Sequence, residues 1–191
     1  LDVDFLDSGK PFMVLEYLEG TDLAKALYRR GRPFEPALAV EYVLQALDAL
    51  ASAHELGIVH RDLKPANLFV VDTPDGRGRI KVLDFGVAKT SEKAGPDSDG
   101  LTVTKMVIGT PHYMPPEQLR SARSVDARSD IWAVGVILFE LLTGQRPFNG
   151  DDYGAIFAAL LERDAPSVLA FVPSTPPVLA AVVQRCLRRD P

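Results

Sequence analysis

The sequence predicts an α+β architecture in which a few short strands come early and helices fill the rest. Three observations carry that expectation. Apolar residues flank turn chemistry twice in the first half, around Asp7-Ser8-Gly9-Lys10 and again around Asp75-Gly76. Between those two places the apolar period changes from that of a strand to the three- and four-residue steps of a long helix. Beyond residue 105 every periodic segment reads as helix or loop. A chain weighted in this way looks like the helical lobe of something larger, and its 191 residues suit one domain or one large domain cut short.

Taken in order, "LDVDFLDSGKPFMVLEYL" predicts two short strands joined by the first turn. "EGTDLAKALYRRG" predicts a short helix begun by Thr21 or Asp22 and stopped by Gly31. From Pro36 to Leu56 the residues Leu38, Val40, Val43, Leu44, Leu47, Leu50 and Ala51 mark one face of a long amphipathic helix, with Gly57 as its stop. "LFVV" at 68–71 and "RIKVLD" at 79–84 predict a hairpin, because "DTPDGRG" between them has Asp-Gly at its tip. Residues 90–105 are polar and rich in Ser, Thr, Gly and Asp, which predicts a mobile loop. Helices follow at 129–143, begun by Ser129 or Asp130 and ended by Gly144, at 152–163, and from Pro176 onward.

Composition excludes some functions. The chain is 47% hydrophobic, enough for a substantial core, and its net charge of −5 disfavours a nucleic-acid partner. Cys186 is the only cysteine, so no intrachain disulfide forms, and it reads as a small buried hydrophobe in a reducing compartment. The apolar run "IWAVGVILFELL" at 131–142 is too short to span a bilayer and carries Glu140, so a buried helix is expected. The chain starts at Leu1 with no basic leader and no signal-like apolar core.

The chemistry gathers in "HRDLKPAN", residues 60–67. Asp62, Lys64 and Asn67 place a carboxylate, a cation and an amide on one turn pinned by Pro65. Such a set can orient a hydroxyl, neutralise phosphate and bind a hard cation, although a single loop Asp is ordinarily just solvated. Two further segments change that reading. "DFG" at 84–86 ends the second hairpin strand, which would bring Asp84 back beside the loop as a second carboxylate. "GTPHYMPPEQ" follows at 109–118, and "SDIWAVG" after it. In this order the four segments resemble the eukaryotic-like Ser/Thr protein kinases of bacteria, over nearly the whole chain.

The resemblance implies a kinase-like fold, with residues 1–15 as the last strands of the small lobe, 16–22 as the hinge and 23–191 as a truncated large lobe. It implies that Asp62 accepts or orients the substrate hydroxyl proton, that Lys64 stabilises the transferring phosphoryl group, and that Asn67 and Asp84 hold Mg²⁺ (or Mn²⁺). Thr110 would bond the catalytic Asp and Lys, and with Lys64 it points to Ser/Thr specificity. In the hinge, the Glu16 carbonyl and the Leu18 backbone would hold the adenine of ATP, with Leu15 as gatekeeper. Asp22 would hold the ribose, and Leu23 and Phe69 would pack below the adenine. His60 and Phe85 match residues that pack under the site, Gly86 a flexible turn residue, and Asp130 the buried aspartate that ties the catalytic loop to the central helix beside Trp132 and Gly135. Glu117 matches a glutamate that pairs with an arginine further on. Thr102 and Thr104 resemble activation-loop phosphosites whose phosphates would pair with Arg61. The implied partners are ATP and proteins with Ser or Thr hydroxyls, with a homodimer for trans-autophosphorylation, in the cytoplasm unless a membrane anchor lies elsewhere in the protein.

The chain also departs from the family pattern. Pro115 replaces the usual Ala or Ser. There is no G-x-G-x-x-G, no V-A-I-K-type strand lysine and no helix glutamate to pair with it, and the expected partner of Glu117 does not follow "CLRRDP". The expectation is therefore a piece of a complete kinase, which alone would transfer phosphate poorly. The alternatives are a kinase-derived binding or scaffold module, or a small-molecule phosphotransferase. "GTPHYMPPE" argues against the last, because it is the segment that positions a peptide.

Overall fold

A helix that is apolar on most of its circumference must be surrounded, and residues 127–143 are apolar apart from Arg128, Ser129, Asp130, Glu140 and Thr143. In the computed structural model, which describes residues 2–85, 111–120 and 125–189, this segment is the central helix. From Ser129 to Thr143 every side chain is buried except Ile131. It is α4 (Ala127–Thr143), and it follows β1 (Asp2–Phe5), β2 (Pro11–Val14), β3 (Gly20–Asp22), α1 (Leu23–Arg30), α2 (Pro36–Glu55), β4 (Leu68–Val71), β5 (Arg79–Val82) and α3 (Pro116–Arg120). After it come α5 (Tyr153–Glu162) and α6 (Pro177–Cys186).

The helix α4 begins two residues earlier than expected, because its cap is Asp126, whose side chain accepts from the Arg128 backbone N–H. Ser129 and Asp130 lie inside the first turns and use their side chains elsewhere. Gly144 ends the helix as predicted, in the left-handed conformation at φ 72°. Against one side of α4 packs α6, at a distance only glycine permits: a Cβ on Gly135 would lie 2.6 Å from Cβ of Cys186. Cys186 is half-buried there, and burial pushes its thiol pKa up. Trp132 stacks on Phe148 at 5.7 Å.

The helix α2 also packs on α4. Its buried stripe is Ala39, Val43, Ala46 and Leu50, with Tyr42 beside it, whereas Leu44 and Ala51 face solvent. The expected face was drawn through the bulky residues. It holds at Val43 and Leu50, which are buried, and at Leu38 and Leu47, which pack against the core, and the stripe also includes Ala39 and Ala46. The helix α1 starts where predicted, with Asp22 as the cap accepting from the Lys25 N–H at 2.8 Å, and stops at Gly31.

The expected hairpin β4–β5 pairs antiparallel, Leu68 against Val82 through Val71 against Arg79. Its turn is tied by Thr73 and Asp75: the Gly76 N–H bonds the Thr73 carbonyl, and the Gly78 N–H bonds the Thr73 hydroxyl. A third strand went unforeseen. β3 adds antiparallel to β4, Asp22 opposite Phe69, so three residues of the expected hinge are strand. β1 and β2 form a separate antiparallel pair, joined by the Leu6–Lys10 turn. The polar loop expected at 90–105 lies outside the described residues.

Candidate active site

Asp130 organises the site. It is 1% exposed and accepts three hydrogen bonds: from the His60 N–H and the His54 Nε2 at Oδ2, and from the Arg61 N–H at Oδ1. A buried carboxylate persists only when so satisfied, and here two of the three donors belong to the start of the 60–67 loop. Arg61 takes a left-handed φ of 66°, a conformation that costs a non-glycine residue roughly 1–3 kcal/mol and needs surroundings that enforce it. The Asp130 bond to its N–H and the Gln118 amide on its carbonyl, at 3.4 Å, supply that enforcement.

His60 connects the loop to the segment after β5. Its Nδ1 accepts from the Asp62 N–H at 3.3 Å, so Nε2 carries the proton and donates to the Leu83 carbonyl at 2.9 Å. Its ring also packs on Phe85, 4.9 Å between centroids, as expected. The Leu83 N–H in turn bonds the Asn67 carbonyl at 2.8 Å. Asp84 comes next, exposed and at a left-handed φ of 56°. The hairpin thus returns the second carboxylate to the loop, and a backbone bond to Asn67 fixes the return.

Within the loop, Lys64 Nζ lies 2.9 Å from Asp62 Oδ2. Pro65–Asn67 form a single 3₁₀ turn, whose closure by the Asn67 N–H on the Lys64 carbonyl explains why proline is tolerated there. The Asn67 amide NH₂ donates to the Asp62 carbonyl at 2.8 Å, which leaves its Oδ1 as the atom suited to a cation. Asp62 and Lys64 are half-buried, so water and a substrate both reach them. Chemically this is a carboxylate beside a cation, with an amide oxygen and a second carboxylate on adjoining backbone. Among the described residues no three His, Cys, Asp or Glu cluster as a metal cage.

The remaining sequence-selected residues are placed as follows. Glu16 and Leu18 lie between β2 and β3, outside both strands. The Glu16 carboxylate pairs with Lys81 at 2.5 Å. The Asp22 carboxylate is shared between the α1 cap and Lys25 Nζ at 2.8 Å. Leu23 is fully buried at the start of α1, and Phe69, half-buried on β4, lies opposite the neighbouring Asp22. Glu117 accepts from the Ser129 hydroxyl at 3.0 Å, inside the present chain. Thr102, Thr104, Thr110 and Gly86 lie outside the described residues.

Two features escaped sequence reasoning. His54 sits in the last turn of α2, six residues before the loop, and no spacing rule links it to Asp130, 76 residues later. The other is a cluster of Tyr113, Glu140 and Arg146, in which Tyr113 donates to Glu140 Oε2 at 2.5 Å and Arg146 Nε reaches Oε1 at 3.3 Å. Glu140 inside an apolar run was the only sequence signal for it.

Comparison with known proteins agrees with this geometry. Residues 4–191 match the model of the protein kinase domain. The chain belongs to the protein kinase family. This kinase domain is 38% identical to the serine/threonine-protein kinase Pkn1 of Myxococcus xanthus over 95% of its own length and 25% of that protein's. It is 37% identical to the serine/threonine-protein kinase PknL of Mycobacterium tuberculosis, covering 97% of the chain and 44% of the relative. It is also 37% identical to the serine/threonine-protein kinase PknB of Mycolicibacterium smegmatis, covering 95% and 28%. The chain thus spans less than half of each of these relatives.

Proposed function

We propose that this kinase domain moves the γ-phosphate of ATP onto Ser and Thr hydroxyls of proteins. The observation that carries the reading is the Asp62–Lys64–Asn67 set on one tied turn, with Asp84 joined to it through Leu83. In the proposed step the substrate hydroxyl oxygen bonds to the γ-phosphorus as the bond to the bridging oxygen of ADP breaks. Asp62 Oδ takes the hydroxyl proton, and Lys64 Nζ neutralises charge on the moving phosphoryl group. Asn67 Oδ1 and the Asp84 carboxylate suit Mg²⁺, which keeps most of its shell as water and phosphate oxygen and needs only one or two protein oxygens. When bound, the ion would neutralise phosphate charge.

The strip from Glu16 to Leu18 would hold the adenine edge, Asp22 the ribose, and Leu23 with Phe69 the face of the ring. Because Asp22 is already engaged by Lys25, a ribose hydroxyl would share its carboxylate with the cap. Thr110 is proposed to bond Asp62 and Lys64, and phosphates on Thr102 and Thr104 to pair with Arg61, whose side chain is exposed. Trans-autophosphorylation by a second copy would supply them. With ATP as co-substrate, a cytoplasmic reaction is proposed, whether or not the full-length protein carries a membrane anchor. Among the described residues no helix is long and apolar enough to cross a membrane.

The test uses the intact gene product and labelled ATP with generic protein substrates, Mg²⁺ and then Mn²⁺. Label on Ser and Thr is expected, with Asp62→Asn lowering turnover by about 10²–10⁴-fold. The 191 residues alone, which contain no G-x-G-x-x-G, are expected to be poor catalysts. No transfer by the intact protein would favour the scaffold reading instead.

A further inference from the structure

The peptide unit that leads into Asp62 is held at both ends. A peptide is rigid and planar, so the Arg61 carbonyl and the Asp62 N–H move as one body. The Asp62 N–H donates to His60 Nδ1 at 3.3 Å, and the Arg61 carbonyl accepts from the Gln118 side-chain amide at 3.4 Å. A carbonyl can only accept, so the Gln118 atom that faces it is the nitrogen. One peptide earlier, the Arg61 N–H is held by Asp130 Oδ1 at 3.0 Å. Both peptide units flanking the Arg61 Cα are therefore fixed, at a residue whose φ of 66° has to be enforced.

These contacts close a ring. Glu117, the neighbour of Gln118 on α3, accepts from the Ser129 hydroxyl at 3.0 Å, and Ser129 is the neighbour of Asp130 on α4. The path from Glu117 to Ser129, Asp130, Arg61, Gln118 and back alternates side-chain hydrogen bonds with chain neighbours. Ser129 and Asp130 are buried, whereas Gln118 is half-buried and lines one small cleft with Arg61, Asp62 and Lys64. The Gln118 bond is the longest in the ring and the one water reaches, so it is the link most readily lost. Gln118 also directly follows "GTPHYMPPE", read above as the segment that positions a peptide.

We propose that Gln118 is a positioning residue: through the Arg61 carbonyl it sets the plane of the 61–62 peptide, and so the aim of the Asp62 carboxylate at the acceptor hydroxyl. The proposal rests on the kinase reading and deepens it. In this role Gln118 touches neither substrate nor phosphate. Without its bond the plane keeps only the His60 contact and can tilt about the Arg61 ψ and the Asp62 φ. A tilt moves the proton acceptor away from the hydroxyl, and a misplacement of about 1 Å at a reacting group can cost about 10²-fold in rate.

The experiment uses the intact gene product, labelled ATP and a peptide with a single Ser, and reads kcat and both KM values. Gln118→Met keeps the length and removes the donor. It should lower kcat about three- to tenfold, the effect of one ordinary hydrogen bond, and leave the KM for ATP unchanged. Gln118→Lys keeps a donor and should retain most of the wild-type kcat. Gln118→Glu sets an acceptor against the carbonyl and should fall furthest. Asp62→Asn supplies the decisive background, because a residue acting through Asp62 has little left to act on there. In it, Gln118→Met should change the residual rate by less than about twofold. Gln118→Met at the wild-type kcat overturns the proposal, and so does the same loss repeated on Asp62→Asn, or a raised peptide KM at full kcat. Should Gln118→Met not fold, Gln118→Lys against Gln118→Glu carries the same contrast of donor with acceptor, and equal kcat for the two overturns it. The wild type alone tests the kinase reading. No transfer by it overturns that reading and the positioning role together, whereas transfer that Gln118→Met leaves unchanged overturns only the positioning role.

Discussion

The helix α4 and the hairpin β1–β2 are both rich in large apolar residues, yet the structure treats them in opposite ways. Along α4 the only large apolar residue reaching solvent is Ile131, at 36%. In the hairpin Val3, Phe5, Phe12, Met13 and Val14 are all exposed, Met13 at 68%. The difference lies in what each can pack against. α4 has α2 on one side and α6 on another, with the Tyr113 turn and the Val168–Ala170 turn also against it. Among the described residues β1 and β2 pair only with each other, and such a two-stranded ribbon brings no second layer of its own to bury either face. Apolar content alone does not make a core; a second layer does. The candidate active site hangs on α4, through Asp130, and inherits its rigidity.

The sharpest way to break this contrast is Asp130→Ala. The change removes an acceptor from the His60 and Arg61 N–H groups and from His54, at a site 1% exposed. Leaving two buried N–H groups and a histidine without their acceptor should cost about 3–5 kcal/mol, and the Arg61 left-handed turn loses its main restraint. Urea titration followed by circular dichroism measures the cost. A loss below about 1 kcal/mol would mean that the loop holds its shape without α4.

An intermediate effect is expected at the start of α1, which joins the hairpin side to the helical body. Asp22→Ala removes a helix cap and should cost about 1 kcal/mol. Its carboxyl titrates below the ordinary 3.8: burial opposes the charge, but the hydrogen bonds from Lys25 and the Lys25 charge win. The folded state thus binds fewer protons than the unfolded one. The stability Asp22 contributes is present above pH 3.8 and is lost as pH falls through the lower folded value. Asp22→Asn keeps a capping oxygen and no longer titrates, so its urea midpoint should fall less than that of the wild type between pH 5 and pH 3. Equal slopes for the two proteins would show that the carboxylate carries no acid sensitivity.

What the sequence made legible follows the range over which each signal acts. Stops such as Gly31, Gly57 and Gly144, the Asp75-Gly76 turn, the HRDLKPAN segment and Asp84-Phe85 are local, and each lies where it was read. Motif order placed Asp130 correctly as the tie between loop and central helix. The errors came where a distant neighbour decides. Asp126 replaced Ser129 as a cap because Ser129 is engaged by Glu117 and Asp130 by the loop. The buried face of α2 also includes Ala39 and Ala46, which a face drawn through bulky residues passes over. β3 was hidden because three residues of strand have no period of their own, and only their pairing with β4 defines them. His54 was invisible for the same reason.

The smallest effect should come from the hairpin. Met13→Ser exchanges a large apolar side chain for a small polar one, a change that in a core costs several kcal/mol through lost burial and a cavity. At 68% exposure there is little burial to lose and no cavity to leave. The two strands of the ribbon pair through their backbones, with Val3 opposite Met13, so serine at 13 keeps the pairing. A shift within about 0.5 kcal/mol is expected, read from the thermal midpoint beside that of Asp130→Ala. The exposed apolar row should instead reveal itself in solubility, because side chains in this position favour association. Met13→Ser together with Phe5→Ser should therefore raise the concentration at which light scattering first appears while leaving the midpoint in place. A midpoint falling by more than about 1 kcal/mol in equivalent stability would show that the ribbon is packed against something in solution. The contrast with α4 would then fail at its weaker end.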